Sequence, residues 1–496
     1  MRSLPPTGSI SDALTGETWS ATDVRAATAR RLQELCHLGV GAGDPVIIAY
    51  GGTPSFFADL VAVWHAGAVA VCINPTLTDH EFGTVLSFVR PKLVISARAR
   101  APSKIAEIPP VEKSKSNDPS YLLGEIDAPD DAPALVLFTS GTTGTPKGVV
   151  LSYGALAARI GLNLESIPAD NLRRTLCLLP THFGHGLIGN CLTALSAGGD
   201  LFLMVQDGVQ NAGCLADVVE KHGVTFMSST PSFWRMALRS RRVGPSAAMR
   251  MVSIGSAPVP AAMVQAVSKW ASTEDVRVMY GITEGANWLA GYSLRDREPQ
   301  DGYVGRMWGG QVAVGGDDGK ISDHGEGEIL LRSPSLMSGY LDQPDLTNEV
   351  MREGWYCTGD RGRLTPDGDI FLTGRIREEI NRGGTKVSPT EIDMLMEKHP
   401  DVAEACTFPL PDVIAGELVG IAIRLNEGAG TEMSALREWC ATMIRRECVP
   451  DHWMQVPELP ATDRGKIDRR LVQSRYLAQS QPGSGPGSGP GSGETA

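Results

Sequence analysis

Thr139-Ser140-Gly141-Thr142-Thr143-Gly144-Thr145-Pro146-Lys147-Gly148 gathers hydroxyls, glycines and a lysine directly after the apolar run Ala134-Leu135-Val136-Leu137-Phe138. Glycines let a backbone bend sharply and come close to a ligand. Clustered N–H groups, hydroxyls and an ammonium are what a polyphosphate requires around it. A Gly/Thr-rich stretch alone would be read as a surface loop. Here strand, glycines, hydroxyls and lysine coincide, which favours phosphate binding. The spacing is not that of the P-loop, G-x-x-x-x-G-K-[ST], because Lys147 follows Pro146 and precedes Gly148.

Further segments carry groups that suit a nucleotide and a reacting acid. Ser253-Ile254-Gly255-Ser256-Ala257-Pro258 ends a predicted strand in small residues, against which a flat ring can lie. Tyr280-Gly281-Ile282-Thr283-Glu284 supplies an aromatic face, a hydroxyl and a carboxylate. Trp355-Tyr356-Cys357-Thr358-Gly359-Asp360 sets an acid after a turn. Gly374-Arg375-Ile376-Arg377, Gly383-Gly384-Thr385-Lys386-Val387 and Arg464-Gly465-Lys466-Ile467-Asp468 follow in order. Taken singly, each reads as a turn, a loop cap or a solvated lysine.

Together and in this order, they resemble the adenylate-forming superfamily, over residues 10–475. Its members include acyl- and aryl-CoA synthetases, adenylation domains of peptide synthetases and firefly-type luciferases. The resemblance implies an α/β fold. It comprises a large N-terminal domain of parallel sheets flanked by helices, with a β-rich subdomain, and a small mobile α+β C-terminal domain. It also implies two half-reactions. A carboxylate attacks the α-phosphate of ATP with Mg²⁺, giving acyl-AMP and pyrophosphate; a thiol, usually that of coenzyme A, then displaces AMP.

Carried over motif by motif, Thr139, Ser140, Gly141, Thr142, Thr143, Gly144 and Lys147 would hold the β- and γ-phosphates. Thr283 would touch the α-phosphate and Glu284 would ligate Mg²⁺, a hard cation that takes oxygen ligands. Tyr280 would stack on adenine, with Ser256, Ala257 and Pro258 along the other side of the ring. Asp360 would bind the ribose hydroxyls, assisted by Arg375. Lys466 would bridge the carboxylate and the α-phosphate, where a positive charge lowers the barrier. Gly383 and Gly384 would line the pantetheine tunnel, and Arg377 occupies the hinge position, where many relatives carry Asp or Lys.

The acyl pocket would be lined by His182, Phe183, Gly255, Gly281, Asn287 and Trp288, with Phe233 and Trp234 nearby. Trp288 would shorten it, favouring a compact aryl or short-chain acid. One departure stands out. Relatives often carry Pro-x-Phe-His, whereas this chain reads Pro180-Thr181-His182-Phe183-Gly184-His185. The family's histidine role therefore transfers to neither His182 nor His185. The acceptor is CoA or, alternatively, the phosphopantetheine of an acyl carrier protein; a luciferase-like oxygenase shares the motifs.

The elements that must position these residues follow from periodicity. Helices are expected over 22–38, 56–66 and 79–89, with strands over 46–50, 68–73 and 92–95. Strands over 176–179, 200–203, 224–227 and 250–254 are each expected to lead into a helix. This alternation implies parallel sheets covered on both faces. Short strands dominate from about Gly305, and a boundary is expected at Gly374–Arg375. The domains are thus 1–374, 375–480 and a Pro/Gly/Ser tail over 481–496, whose composition cannot bury a core.

Composition narrows the partners. A net charge of −12 leaves no basic surplus for nucleic acid. Nine scattered cysteines without C-x-x-C or zinc spacing read as reduced thiols in a cytoplasmic protein. No apolar segment is long enough to span a bilayer and no signal peptide is visible, so membrane contact is expected to be peripheral at most.

Overall fold

The computed structural model describes residues 8–113, 123–139, 147–204, 208–240, 244–246, 249–316, 318–382, 385–412, 416–444, 446–462 and 465–480. The chain divides between Leu372 and Thr373 into two compact units.

In the first unit, strand–helix alternation builds two sheets. Pro45–Ile48, Val69–Cys72, Leu93–Ile95 and Pro133–Thr139 lie parallel in one of them. Helix Pro54–His65 shows how local chemistry sets a boundary. Thr53 accepts from Phe56 N as N-cap and Pro54 fills the first helical position. Phe56, Phe57, Leu60, Val61, Val63 and Trp64 are all at most 2% exposed. A helix apolar on every side belongs inside, and this one is sandwiched in the core.

Arg174–Cys177, Asp200–Leu203, Phe226–Ser229, Met251–Gly255 and Val276–Ile282 form the parallel part of the second sheet. Asn287–Ser293 then turns antiparallel. The short strands after Gly305, among them Gln311–Gly315, Gly325–Arg332 and Trp355–Leu364, continue that sheet antiparallel.

One connection is new and one expectation changes. The Gly-rich stretch joins an antiparallel hairpin, Pro133–Thr139 with Lys147–Ser152, in which Thr139 sits opposite Lys147. The strand expected over 176–179 is Arg174–Cys177, and a π-helix, His185–Leu192, follows it before the short helix Thr193–Ser196. Glycine explains the tight seat of this π-helix: a Cβ on Gly186 would lie 2.4 Å from Pro180 O, and one on Gly189 would lie 2.0 Å from Asn287 Nδ2.

The second unit packs helices Pro389–Met396, Met433–Met443 and Arg469–Ser480 with the antiparallel pair Val402–Asp412 and Gly416–Leu425. Arg469 reaches Asp393 at 2.9 Å within it. None of the nine cysteines is in a disulfide. No helix among the described residues is long and apolar enough to cross a membrane.

Candidate active site

Ligands of open parallel sheets bind beyond the carboxyl ends of the strands, and side chains alternate across each strand. Register puts Phe226 and Ser228 opposite Met251 and Ser253, and Gly255 opposite Met279. One face therefore runs from bulky apolar residues (Phe226, Met251, Met279) to small or polar ones (Ser228, Ser253, Gly255, Gly281) as the strands approach their ends. Trp288, register partner of Gly281, closes this face. Its ring packs at 6.4 Å on Phe226 and at 5.6 Å on His185, and it is 2% exposed.

Gly281 sits at a bulge, where a Cβ would lie 2.0 Å from the Asn287 carbonyl oxygen. Gly281→Ala is therefore expected to destabilise the protein at or beyond the upper end of the ~1–3 kcal/mol typical of overpacking. Denaturant unfolding of the variant checks this; an unchanged midpoint would refute the close approach.

His185 is the residue whose importance the sequence reading missed. Its Nδ1 lies 2.7 Å from Ser256 Oγ and its Nε2 lies 2.6 Å from Ser228 Oγ. The imidazole thus bridges the ends of two neighbouring strands. Its position between Gly184 and Gly186 was the available signal: small neighbours let a helix start press against a sheet. His182, named for the pocket, is half-buried with its ring 4.1 Å from that of Phe183. Phe233 is buried, and Trp234 is fully buried against Trp270, both in the apolar cluster packed on this sheet.

Backbone strain collects here. Ser256 (φ 69°), Ala286 (φ 56°) and Asn287 (φ 96°) all lie in the left-handed region that favours glycine. Such conformations persist where the surrounding structure holds them, commonly at functional sites.

Along the sheet, Tyr280 Oη donates to Asp360 Oδ2 at 2.6 Å, and both residues are buried. Residues 80 apart in sequence are joined where an adenosine would need an aromatic face beside a hydroxyl acceptor. Glu284 follows in a 3₁₀ turn, Thr283–Gly285. Its Oε1 accepts from Tyr340 Oη at 2.8 Å and its carbonyl accepts from Met337 N at 2.7 Å. Tyr340 in turn pairs with Val149, so the strand that starts at Lys147 is tied to the Glu284 turn. Burial, then the Glu284 carboxylate and Tyr340, push the Tyr356 phenol far above its usual range and keep it neutral.

Behind this turn Arg159 is fully buried and donates to Ser335 Oγ at 2.6 Å and Ser333 Oγ at 3.3 Å. Ser335 passes the link to Gly285 O at 3.0 Å. Burial lowers the Arg159 pKa to about 10, still far above neutrality, so the group remains a cation. Neither Tyr340 nor Arg159 carries a local sequence signal.

The remaining named residues are placed as follows. Thr139, Lys147 and Thr283 are half-buried, Ala257 is half-buried beside Ser256, and Pro258 is exposed. Arg375 is exposed at the end of strand Ile370–Arg375, and Arg377 lies in the 3₁₀ turn Ile376–Glu378. Lys466 is exposed. Ser140, Gly141, Thr142, Thr143, Gly144, Gly383 and Gly384 fall outside the described residues.

The family described as AMP-binding enzyme matches residues 11–341, and its C-terminal domain matches residues 391–466. The chain belongs to the AMP-binding enzyme family. It is 31% identical to a probable CoA ligase, CCL9, of Humulus lupulus over 91% of this chain and 92% of that protein. To an oxalate–CoA ligase of Arabidopsis thaliana it is 29% identical, over 88% and 90%. The ATP-bound structure of MatB from Rhodopseudomonas palustris shares the fold, with a TM-score of 0.83 and 24% identity over 96% of this chain and 97% of that one. AMP-binding enzymes of this kind are the adenylate-forming enzymes that the motif order resembles, with the same α/β architecture.

Proposed function

We propose that this AMP-binding enzyme activates a compact carboxylic acid as its acyl-adenylate and passes the acyl group to coenzyme A. The observation that carries the reading is the junction of Tyr280 with Asp360 beside the Glu284 turn. Relatives named as CoA ligases across nearly the full length support the acid–thiol ligase class rather than an oxygenase.

The donor set suits its ligands. Among the described residues no group of three or more His, Cys, Asp or Glu could hold a metal. Mg²⁺ binds through one or two carboxylates plus substrate phosphates and water. Glu284 would hold it, and when bound it neutralises phosphate charge. Tyr280 stacks on adenine and Asp360 accepts from the ribose hydroxyls. Thr139, Ser140, Thr142, Thr143 and Lys147 would hold the leaving pyrophosphate. Lys466 would be brought to where carboxylate and α-phosphate charges meet during adenylation; without a cation there the two anions repel. The small C-terminal unit turns between the half-reactions, with Arg377 at its hinge.

Trp288, fixed by Phe226 and His185, supports a short acyl pocket. The similarity to an oxalate–CoA ligase supports a small acid. The test is AMP formation with CoA or with a holo-carrier protein as acceptor. Saturable turnover with CoA and none with the carrier is expected; the reverse would overturn the choice of acceptor.

A further inference from the structure

Three buried polar atoms surround the His185 bridge without a hydrogen-bond partner among the described residues: Ser253 Oγ, Asn287 Nδ2 and Trp288 Nε1. Buried polar groups are nearly always paired, so each calls for a physical reason. Their placement is shared. Ser253 is the register partner of Ser228. Trp288 touches the His185 ring. Asn287 lies against Gly184, the residue before His185: a Cβ on Gly184 would lie 3.7 Å from Asn287 Cβ. Asn287 is 7% exposed and keeps a left-handed backbone that a glycine would adopt more readily.

The chemistry of the cluster is that of a donor set. Asn287 offers an amide N–H₂, Trp288 an indole N–H, and the serines their hydroxyls. A neutral imidazole donates to one of Ser228 and Ser256 and accepts from the other. The serine that accepts from it keeps its own O–H to give elsewhere. An alkyl chain laid over these groups would leave them buried and unpaired, which costs far more than an ordinary contact gains. An oxyanion, whose oxygens accept several hydrogen bonds and donate none, satisfies them.

We propose that the activated acid carries a second oxyanionic group, as a short dicarboxylic acid does. Ser228, Ser253, Ser256, Asn287 and the Trp288 indole N–H recognise that group, and His185 holds two of the serines in place. The inference rests on the ligase reading and names its substrate class. The carboxylate to be activated points toward the Thr283–Glu284 turn, and the second group lies over the ends of strands Phe226–Ser229 and Met251–Gly255.

The experiment is pyrophosphate release by the full chain with length-matched pairs: malonate against propionate, and succinate against butyrate. Hexanoate and the sulfonate analogue of malonate complete the set. The expected result is a kcat/KM for the dicarboxylates at least ~10²-fold above their monocarboxylate partners, a floor below the ~10⁴–10⁵ by which a fully hydrogen-bonding site rejects an analogue lacking the group. Preference for the sulfonate would keep the second oxyanion and move its identity from carboxylate to sulfonate. Asn287→Gly keeps the backbone conformation and removes the amide, and Ser228→Ala removes one hydroxyl. Each is expected to lower the preference at least ~10-fold, chiefly through KM for the dicarboxylate, with circular dichroism reporting folded protein. Butyrate or hexanoate used as well as succinate overturns the inference and leaves the ligase standing. So does an undiminished preference in both variants. Pyrophosphate release with no acid at all overturns the ligase reading, and this inference with it.

Discussion

Lys466→Ala should slow acyl-adenylate formation at least ~10²-fold, the scale of removing one preorganised charged donor from a transition state. Thioester formation from supplied acyl-AMP should survive. The backbone around Lys466 is held without its side chain. Thr462 N donates to the Lys466 carbonyl at 2.7 Å, Lys466 N donates to Thr462 Oγ1 at 3.3 Å, and Ala461 bridges to Ile467. The side chain itself is exposed. Truncation therefore leaves the turn folded, and a rate loss reports chemistry rather than unfolding. The ammonium matters only while carboxylate and α-phosphate approach, because both carry negative charge and the bond being formed concentrates it. Once the mixed anhydride exists, the thiol attacks a carbonyl with AMP as leaving group, and that step does not require the same cation. Single-turnover pyrophosphate release and thioester formation from synthetic acyl-AMP separate the two steps. A wild-type adenylation rate would remove Lys466 from the reaction.

The sequence exposes what is local and hides what is assembled. The apolar run ending at Phe138, the helix capped by Thr53 and the strand leading to Gly255 are readable because their signals lie within a few residues. Tyr280 and Asp360 were individually legible as motif residues, but not their hydrogen bond, which depends on the sheet bringing residues 80 apart together. The His185 bridge was hidden for a similar reason. Ser228 reads as an unremarkable strand serine, and only register shows that it shares a face with Ser253 and Gly255. The π-helix leaves no periodicity that separates it from an α-helix over so short a run, so the helix expected after this strand gives no sign of its π form. Arg159 is the extreme case: on sequence an arginine in an amphipathic helix reads as solvated, yet it is fully buried behind the Glu284 turn.

Asp360→Ala should lower kcat/KM for ATP at least ~10²-fold, since two charge-assisted hydrogen bonds at ~1.5–3 kcal/mol each are lost. The carboxylate is preorganised for them. Gly359 turns with φ 69° and its N–H donates to Glu328 Oε1 at 2.8 Å. Asp360 N donates to Thr358 Oγ1 at 3.0 Å, and Thr358 Oγ1 donates to Ile329 O at 2.7 Å. Tyr280 Oη then fixes one carboxylate oxygen at 2.6 Å. Asp360→Ala also takes this acceptor from the buried Tyr280 hydroxyl, so a stability loss of ~1–3 kcal/mol accompanies the kinetic one. Lost stability alone would lower the amount of active enzyme without altering its choice of nucleotide. The deciding comparison is therefore ATP against 2′-deoxy-ATP. The wild-type enzyme should favour ATP, because the deoxy compound cannot make one of the two bonds, and the ratio should collapse toward one in Asp360→Ala. Asp360→Asn keeps the shape but not the charge, and its loss should be smaller. Undiminished discrimination in the alanine variant would show that the ribose is held elsewhere.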